Sequence, residues 1–228
     1  MQRHALEDGT VLSVQKPADA DSARPSLAVL FDGRPMIDAG IPELMRSLQE
    51  DRIIGPLTTI YVESIEGSTT RGPTRVASLT DPVLLDRLIH TIRGFLELSE
   101  TVTADPARRV VMGHSLGGNA ALHVASQWPG LFSRVATASA ALWWSGDDVR
   151  LSGSEIAAEV QAVSGLRLWM QAGAADDPEL LRSNREFWKA ADEASLDLVH
   201  VEHPGGHELS AWRQGLSRAL PHLLRETG

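Results

Sequence analysis

The stretch Arg109-Val110-Val111-Met112-Gly113-His114-Ser115-Leu116-Gly117-Gly118-Asn119-Ala120-Ala121-Leu122 decides how the rest of the chain is interpreted. An apolar run typical of a buried strand leads into the pattern G-x-S-x-G, and a segment of small residues suited to a helix follows it. A serine at such a strand-to-helix turn lies in strained backbone with its hydroxyl exposed, and the flanking glycines leave room where side chains would strike the neighbouring elements. The stretch therefore predicts that Ser115 is a nucleophile.

Strand and helix patterns alternate along the chain on both sides of this stretch. The candidate strands are short apolar or β-branched runs at 26–31, 59–62, 109–112, 134–138, 166–172 and 198–202. The candidate helices, which repeat apolar residues at helical spacing, are 82–98, 117–127, 178–194 and 208–225. Such alternation favours a parallel sheet covered on both faces. Together with the serine turn, it predicts an α/β fold of the α/β-hydrolase type, with a mostly parallel central sheet.

Length, composition and charge narrow the classes of protein further. A chain of 228 residues with 43% apolar content and no repeat or composition shift is expected to form a single catalytic domain, 1–228. The net charge of -9 disfavours nucleic-acid and membrane partners. The chain has no run long enough to span a bilayer, no signal-peptide pattern and no cysteine, so we expect a cytoplasmic protein without thiolate chemistry. No metal or organic cofactor is implied, and the oligomeric state is not predicted.

A serine nucleophile needs a base, normally a histidine held by a carboxylate. In α/β-hydrolases the chain order is nucleophile, acid, histidine, and the histidine follows the last strand. Of the eight histidines, His207 fits this order because it lies in the glycine-rich turn 204–208 before the last candidate helix. His203 is the competing choice. His114, beside the nucleophile, is interpreted as part of the pocket wall.

The acid is expected in the loop 173–179, which follows a candidate strand and contains three carboxylates. Asp177 is the first choice and Asp176 the second. Asp177 precedes a proline, however, and so is equally suited to cap the next helix. A Ser-His pair without a third member remains an alternative.

The oxyanion hole needs two backbone amides. The turn after the nucleophile supplies the amide of Leu116. The second donor is expected in Leu30-Phe31-Asp32-Gly33-Arg34, through the amide of Arg34 or Gly33, although the same residues also suit a plain Asp-Gly turn.

Over most of its length the sequence resembles the catalytic domain of the enterobactin (enterochelin) esterases and related trilactone siderophore esterases. The tandem tryptophan is the most specific feature, because many esterases share G-x-S-x-G. The matching pieces are Leu30-Phe31-Asp32-Gly33, the run 59–62 with the arginine-bearing loop after it, Gly113-His114-Ser115-Leu116-Gly117-Gly118, Trp128-Pro129, 139–144 with Trp143-Trp144, and Gly205-Gly206-His207-Glu208 followed by Trp212.

The resemblance implies hydrolysis of ester bonds in the triserine lactone of a catecholate siderophore, with release of iron inside the cell. A ferric tris-catecholate is trianionic and has flat aromatic rings, so it should contact guanidinium groups and aromatic faces. The residues expected to bind it are Arg75, Arg71, Trp143, Trp144 and His114. A solvated loop charge is the competing interpretation of each arginine, and a buried aromatic that of each tryptophan.

The sequence departs from the family pattern in three places. The family's Arg-x-x-Glu-Leu is here Arg75-Val76-Ala77-Ser78-Leu79, without the glutamate. The segment before the first strong strand is too short for the β-rich domain that precedes the family's hydrolase domain, so a single-domain form is expected. The acid loop is a residue longer than the family pattern. A general carboxylesterase, thioesterase or acyltransferase on the same fold is the alternative function, and a non-catalytic binding protein is the second.

Overall fold

The computed structural model describes residues 1–6, 9–19, 24–63, 75–97, 102–142, 145–146 and 149–225. Three of the residues expected to bind substrate, Arg71, Trp143 and Trp144, lie outside the described residues. The strands are β1 (Gln2–Ala5), β2 (Val11–Gln15), β3 (Ser26–Leu30), β4 (Leu57–Glu63), β5 (Arg109–His114), β6 (Arg134–Ala138), β7 (Ser145–Gly146), β8 (Val149–Arg150), β9 (Arg167–Gly173) and β10 (Asp197–His203). The helices are α1 (Gly33–Asp38), α2 (Ile41–Glu50), α3 (Arg75–Thr80), α4 (Pro82–Glu97), α5 (Leu116–Gln127), α6 (Gly153–Gln161), α7 (Pro178–Glu193) and α8 (Leu209–Leu224).

Among the described residues, eight strands form one sheet in the order β1-β2-β4-β3-β5-β6-β9-β10. The pairs β1-β2 and β2-β4 are antiparallel, and the other neighbours are parallel. Strand β5, which leads to Ser115, lies between β3 and β6. The serine turn is therefore at the carboxyl edge in the middle of the sheet, where the loops that follow parallel strands come together.

Helices cover both faces of the sheet because successive strand residues point to opposite sides. On one face, helices α3 to α7 bury side chains that include Val29 and Val111. On the other face, α1, α2 and α8 bury Leu30 and Met112. The central strands are therefore apolar on both sides, which is why they read as continuous apolar runs in the sequence.

The predicted fold class is confirmed, since a mostly parallel sheet lies between two layers of helices. Each predicted strand and helix is present close to its predicted bounds. The sequence does not predict six of the longer elements, namely β1, β2, α1, α2, α3 and α6. Of these, β1 is mainly exposed and α1 is only six residues long, so neither carries a strong apolar pattern. Within the described ranges, every helix is too short or too polar to span a lipid bilayer.

Candidate active site

Ser115 lies at the turn between β5 and α5, with φ 58° and ψ -122°. A positive φ is strained for any residue with a side chain, and such strain is retained where the surroundings impose it. Here the turn is tight enough that a Cβ on Gly113 would overlap the backbone of Gly117. The predicted strand-turn-helix context of Ser115 is therefore present, and it presents the side chain at the carboxyl edge of the sheet.

Backbone hydrogen bonds hold this turn against the end of β6. The Ser115 amide donates to the Ala138 carbonyl at 2.9 Å, and the Ser115 carbonyl accepts from the Ala141 amide at 3.0 Å. The position of Ser115 thus depends on the residues that follow β6 as well as on its own turn.

The loops that follow β9 and β10 are hydrogen-bonded to each other. The amides of Ala174 and Ala175 donate to the carbonyls of His203 and Gly205 at 2.7 and 3.0 Å. A Cβ on Gly173 would overlap the Gly205 carbonyl, so the two backbones approach too closely for a side chain there. This contact brings the predicted acid loop beside the predicted histidine loop.

Within this pair of loops, Nδ1 of His207 lies 2.9 Å from Oδ1 of Asp176. The Asp176 side chain is fully buried, whereas that of His207 is 45% exposed. A carboxylate at Nδ1 favours the tautomer with the proton on that nitrogen, which leaves Nε2 to accept a proton from a nucleophile. His207 and Asp176 therefore have the arrangement of a base and its orienting acid.

The first choice for the acid, Asp177, is corrected by this geometry. The Asp177 carboxylate accepts from the amides of Glu179 and Leu180 at 2.9 and 3.3 Å, so it caps α7. A carboxylate engaged in a helix cap faces its own first turn and not the imidazole. The second choice, Asp176, contacts the histidine.

Three hydrogen bonds determine the charge state of Asp176. Burial raises the pKa of a carboxyl group, but donors on Ser139, Gly173 and His207 more than offset it and hold the pKa of Asp176 below its ordinary value. The hydroxyl of Ser139 lies 2.6 Å from Oδ2, and the Gly173 amide donates to the same oxygen at 2.8 Å. The Asp176 carboxylate is therefore ionised at neutral pH.

The competing histidine, His203, has a local role. Its Nδ1 accepts from the Gly205 amide at 3.2 Å, so this nitrogen supports the turn that carries His207. Its ring borders a cavity of about 440 Å³ whose other walls include Gln171, Glu208 and Arg218. In the described part of the chain, no carboxylate is hydrogen-bonded to its ring, in contrast to that of His207.

His114 is buried beside the base. Its ring centroid lies 4.3 Å from that of His207 with an interplanar angle of 57°. Burial, and then the charge of His207, lower the pKa of His114 to about 4, against a smaller opposing effect of Asp176. His114 is thus a neutral wall against which the His207 ring packs, immediately before the nucleophile in the chain.

The candidate oxyanion donors lie in the first turns of two helices that approach each other. Gly33 and Arg34 begin α1, and Leu116 begins α5. A Cβ on Gly117 would lie 3.2 Å from Cβ of Phe31, which shows how closely the two turns pack. First-turn amides have no carbonyl partner within their helix, so they are available to an anion. The Arg34 side chain pairs with Asp38 on the surface, so only its backbone amide belongs to this site.

Arg75, a predicted substrate contact, is engaged by a buried carboxylate. Its Nε and Nη2 atoms each lie 2.6 Å from an oxygen of Asp32. The Arg75 side chain is 32% exposed and that of Asp32 is 4% exposed. Asp32 has φ 57°, in the left-handed region, and it directly precedes the candidate donor Gly33. The ion pair therefore joins α3 to the predicted oxyanion loop.

Sequence reasoning missed two residues of this site. Ser139 lies in a stretch quoted for its resemblance to a family, but a buried serine after a strand carries no signal of a carboxylate partner. The sequence indicates only a turn at Asp32, and the contact between Arg75 and Asp32 arises only in the folded chain. In both cases the partner lies far away along the chain: 37 residues separate Ser139 from Asp176, and 43 separate Asp32 from Arg75.

The order of the sheet, the serine turn at its centre and the histidine after its last strand define an α/β-hydrolase. The family model described as "Putative esterase" matches residues 4–223, and the chain belongs to this esterase family.

Individual relatives agree with this assignment. The chain is 26% identical over 222 residues to the iron(III) enterobactin esterase of Dickeya dadantii (strain 3937), covering 91% of this chain and 49% of that protein. A crystal structure of ferric enterobactin esterase from Salmonella typhimurium has a TM-score of 0.81 and 21% identity, covering 97% of this chain and 57% of that one. A ferulic acid esterase structure has a TM-score of 0.75 and 16% identity, covering 98% and 96%. The chain thus spans about half the length of the enterobactin esterases it matches.

Proposed function

We propose that the protein is a serine esterase in which Ser115 is the nucleophile, His207 the base and Asp176 the orienting acid. The hydrogen bond between His207 and the buried, ionised Asp176 carries this proposal. His207 Nε2 takes the proton of the Ser115 hydroxyl as its oxygen attacks the ester carbonyl, and the imidazolium is stabilised by Asp176. The amide of Leu116, with that of Gly33 or Arg34, stabilises the oxyanion.

The same groups complete the reaction, with His207 acting first as an acid and then again as a base. His207 gives its proton to the leaving alkoxide, which departs as an alcohol and leaves an acyl group on Ser115. A water molecule then loses a proton to His207 and attacks the acyl carbonyl. Collapse of this second intermediate breaks the Ser115 ester, returns the proton to the serine and releases the acid.

The proposed substrate is the trilactone of a catecholate siderophore of the enterobactin type, in the ferric or iron-free form. Support comes from the relationship to the enterobactin esterase of Dickeya dadantii over 222 residues, and from the sequence features shared with that family. In this proposal the serine-derived lactone esters are cut one at a time, the iron is part of the substrate, and the reaction takes place in the cytoplasm.

A general carboxylesterase is the second candidate, and the state of Arg75 favours it. The Nε and Nη2 atoms of Arg75 both contact the Asp32 carboxylate, so its positive charge is compensated within the protein. The guanidinium is therefore less available to a trianionic substrate. The fold of a ferulic acid esterase also covers nearly the whole chain. A non-catalytic binding protein is disfavoured, because it gains nothing from keeping Ser115 in strained backbone.

Chromatography with mass detection tests the substrate. Ferric and iron-free enterobactin are incubated with the wild-type protein, with Ser115→Ala, and with Ser126→Ala as a control serine at the far end of α5. Linear trimer, dimer or monomer of dihydroxybenzoylserine should form with the wild type and with Ser126→Ala only. An intact trilactone with p-nitrophenyl butyrate still cleaved would identify a general esterase instead.

A further inference from the structure

Ser139, which follows β6, combines strained backbone with a buried hydroxyl. Its φ is 45°, in the left-handed region, and the residue is 2% exposed. Its hydroxyl donates to Oδ2 of Asp176 at 2.6 Å. A glycine would occupy this backbone conformation without strain, so the conformation alone does not require a serine side chain.

The turn that begins at Ser139 is fixed by its neighbours on several sides. The Ser139 amide donates to the Gln171 carbonyl at 2.7 Å, and the Ala141 amide donates to the Ser115 carbonyl at 3.0 Å. The Asn184 side chain donates to the carbonyl of Ala140 at 2.7 Å. One short turn thus contacts the backbone of the nucleophile and the side chain of the acid, so the Ser139 hydroxyl has a defined position relative to both.

The Asp176 carboxylate divides its two oxygens between different partners. Oδ1 faces His207 at 2.9 Å, whereas Oδ2 is held by the Ser139 hydroxyl and the Gly173 amide. Rotation of the carboxylate about its axis would break both contacts at Oδ2. With the Gly173 amide as its only donor at Oδ2, the Asp176 carboxylate could still rotate, whereas the two donors together fix its plane.

We propose that Ser139 is a positioning residue of ester hydrolysis, whose hydroxyl fixes the Asp176 carboxylate with Oδ1 toward His207. The proposal rests on the function proposed above, because it concerns the acid of that triad. Ser139 acts through Asp176 and makes no bond to the ester. Ser139, the residue after β6, thus holds Asp176, and Asp176 in turn contacts His207.

Two substitutions separate the hydroxyl from the backbone conformation. Ser139→Gly removes the hydroxyl and relieves the strain, whereas Ser139→Ala removes the hydroxyl and keeps the strain. With p-nitrophenyl butyrate as substrate, both should lower kcat by about 10- to 100-fold, as loss of one hydrogen bond to a charged group predicts, while KM changes by less than about twofold. Ser126→Ala, which removes another buried hydroxyl bonded to a carbonyl, should keep the wild-type kcat.

The pH dependence of kcat/KM gives a readout that a purely structural role would not move. Loss of the Ser139 donor makes the Asp176 carboxylate more basic, and a more basic carboxylate holds the proton of His207 more tightly. The acidic limb of the kcat/KM profile, where activity falls as the pH is lowered, should therefore move to higher pH by about half to one pH unit. Charged or titratable groups near this pair, among the described residues, include His114 from β5, Glu208 in the histidine loop and the α7 side chains that line a cavity with Asp176, and both variants leave them unchanged.

The outcomes separate this inference from the proposed function. Equal losses of kcat in Ser139→Gly and Ser139→Ala, with a raised acidic limb in both, support the positioning role. A wild-type kcat in Ser139→Gly, or a loss of kcat without movement of the acidic limb, overturns it. Retained turnover in Ser115→Ala would instead remove the triad itself, whatever the Ser139 variants show.

Discussion

Asp176 and Asp177 are adjacent residues of the same type with different surroundings. Asp176 is buried between Ser139, Gly173 and His207, and Asp177 caps α7 at the surface. The side chains diverge because the chain turns from the sheet edge into a helix between them. At this scale the contacts of one carboxylate, and not its place in the sequence, decide its role.

A pair of matched substitutions tests this distinction. Asp176→Asn should lower kcat for p-nitrophenyl butyrate by roughly a thousandfold or more, because an amide cannot stabilise the imidazolium and favours the wrong tautomer of His207. Asp177→Asn should leave both kcat and Tm near the wild-type values, since asparagine caps a helix as well as aspartate does. A large loss of kcat in Asp177→Asn, with a near wild-type kcat in Asp176→Asn, would instead identify Asp177 as the acid.

The sequence placed Ser115 and His207 in suitable turns but could not choose between the two acids. Chain order and glycine context identify the loops, because both follow from general features of strands and turns. The choice within the acid loop depends on how Ala174 and Ala175 pair with the neighbouring loop, which one sequence does not reveal. Arg71, Trp143 and Trp144 stay predictions.

At the scale of elements, the contact between Arg75 and Asp32 connects α3 to the turn between β3 and α1. The carboxylate is buried and bound through two nitrogens of one guanidinium, which is the stronger form of such a pair. Removal of the arginine would leave the buried carboxylate without these donors. The pair thus stabilises the loop that carries the candidate donor Gly33.

A double-mutant cycle measures this coupling. Arg75→Met should lower the free energy of unfolding by about 1–3 kcal/mol, and Arg75→Met combined with Asp32→Asn should lower it by less than the sum of the single changes. Urea unfolding followed by tryptophan fluorescence supplies the four free energies. The exposed pair Arg93–Glu97 on α4 is the control, and its coupling should stay below about 0.5 kcal/mol. Coupling of that small size at Arg75 and Asp32 would contradict the account.

The sequence predicted the central elements better than the outer ones. Strands β3, β5 and β6 are buried on both faces and so appear as apolar runs. Strand β1 is exposed at the sheet edge, and Arg75, for which the sequence predicts a loop, begins helix α3. Strand β1 pairs with β2, and helix α3 packs against α4 and α5. Partly exposed elements of this kind carry a weaker apolar pattern than the central strands.

At the scale of the whole molecule, burial of neutral histidines makes stability depend on pH. The pKa of His114 is lowered to about 4 from its ordinary 6.5, and burial also lowers the pKa values of His123 and His222. Between about pH 4 and pH 6.5, His114 binds more protons in the unfolded chain than in the folded one, so acid favours unfolding. The stability from this source is complete above about pH 6.5 and is lost as the pH falls through 4.

His114→Gln should flatten this dependence. Between pH 6.5 and pH 4, the lowered pKa of His114 corresponds to a loss of about 3 kcal/mol in the free energy of unfolding, and glutamine does not titrate. Urea unfolding of the wild type and the variant at several pH values in this range gives the two slopes. Identical slopes would show that the pKa of His114 is the same in the folded and unfolded protein, and would contradict its burial as a neutral imidazole.

Mass spectrometry after incubation with a fluorophosphonate tests the catalytic serine most directly, because the probe reacts with an activated serine whatever its natural ester. We expect one adduct per chain on the peptide that contains Ser115, slow labelling of His207→Ala and no adduct with Ser115→Ala. A folded wild-type protein that takes no label, or that takes it on a different serine, would contradict the account.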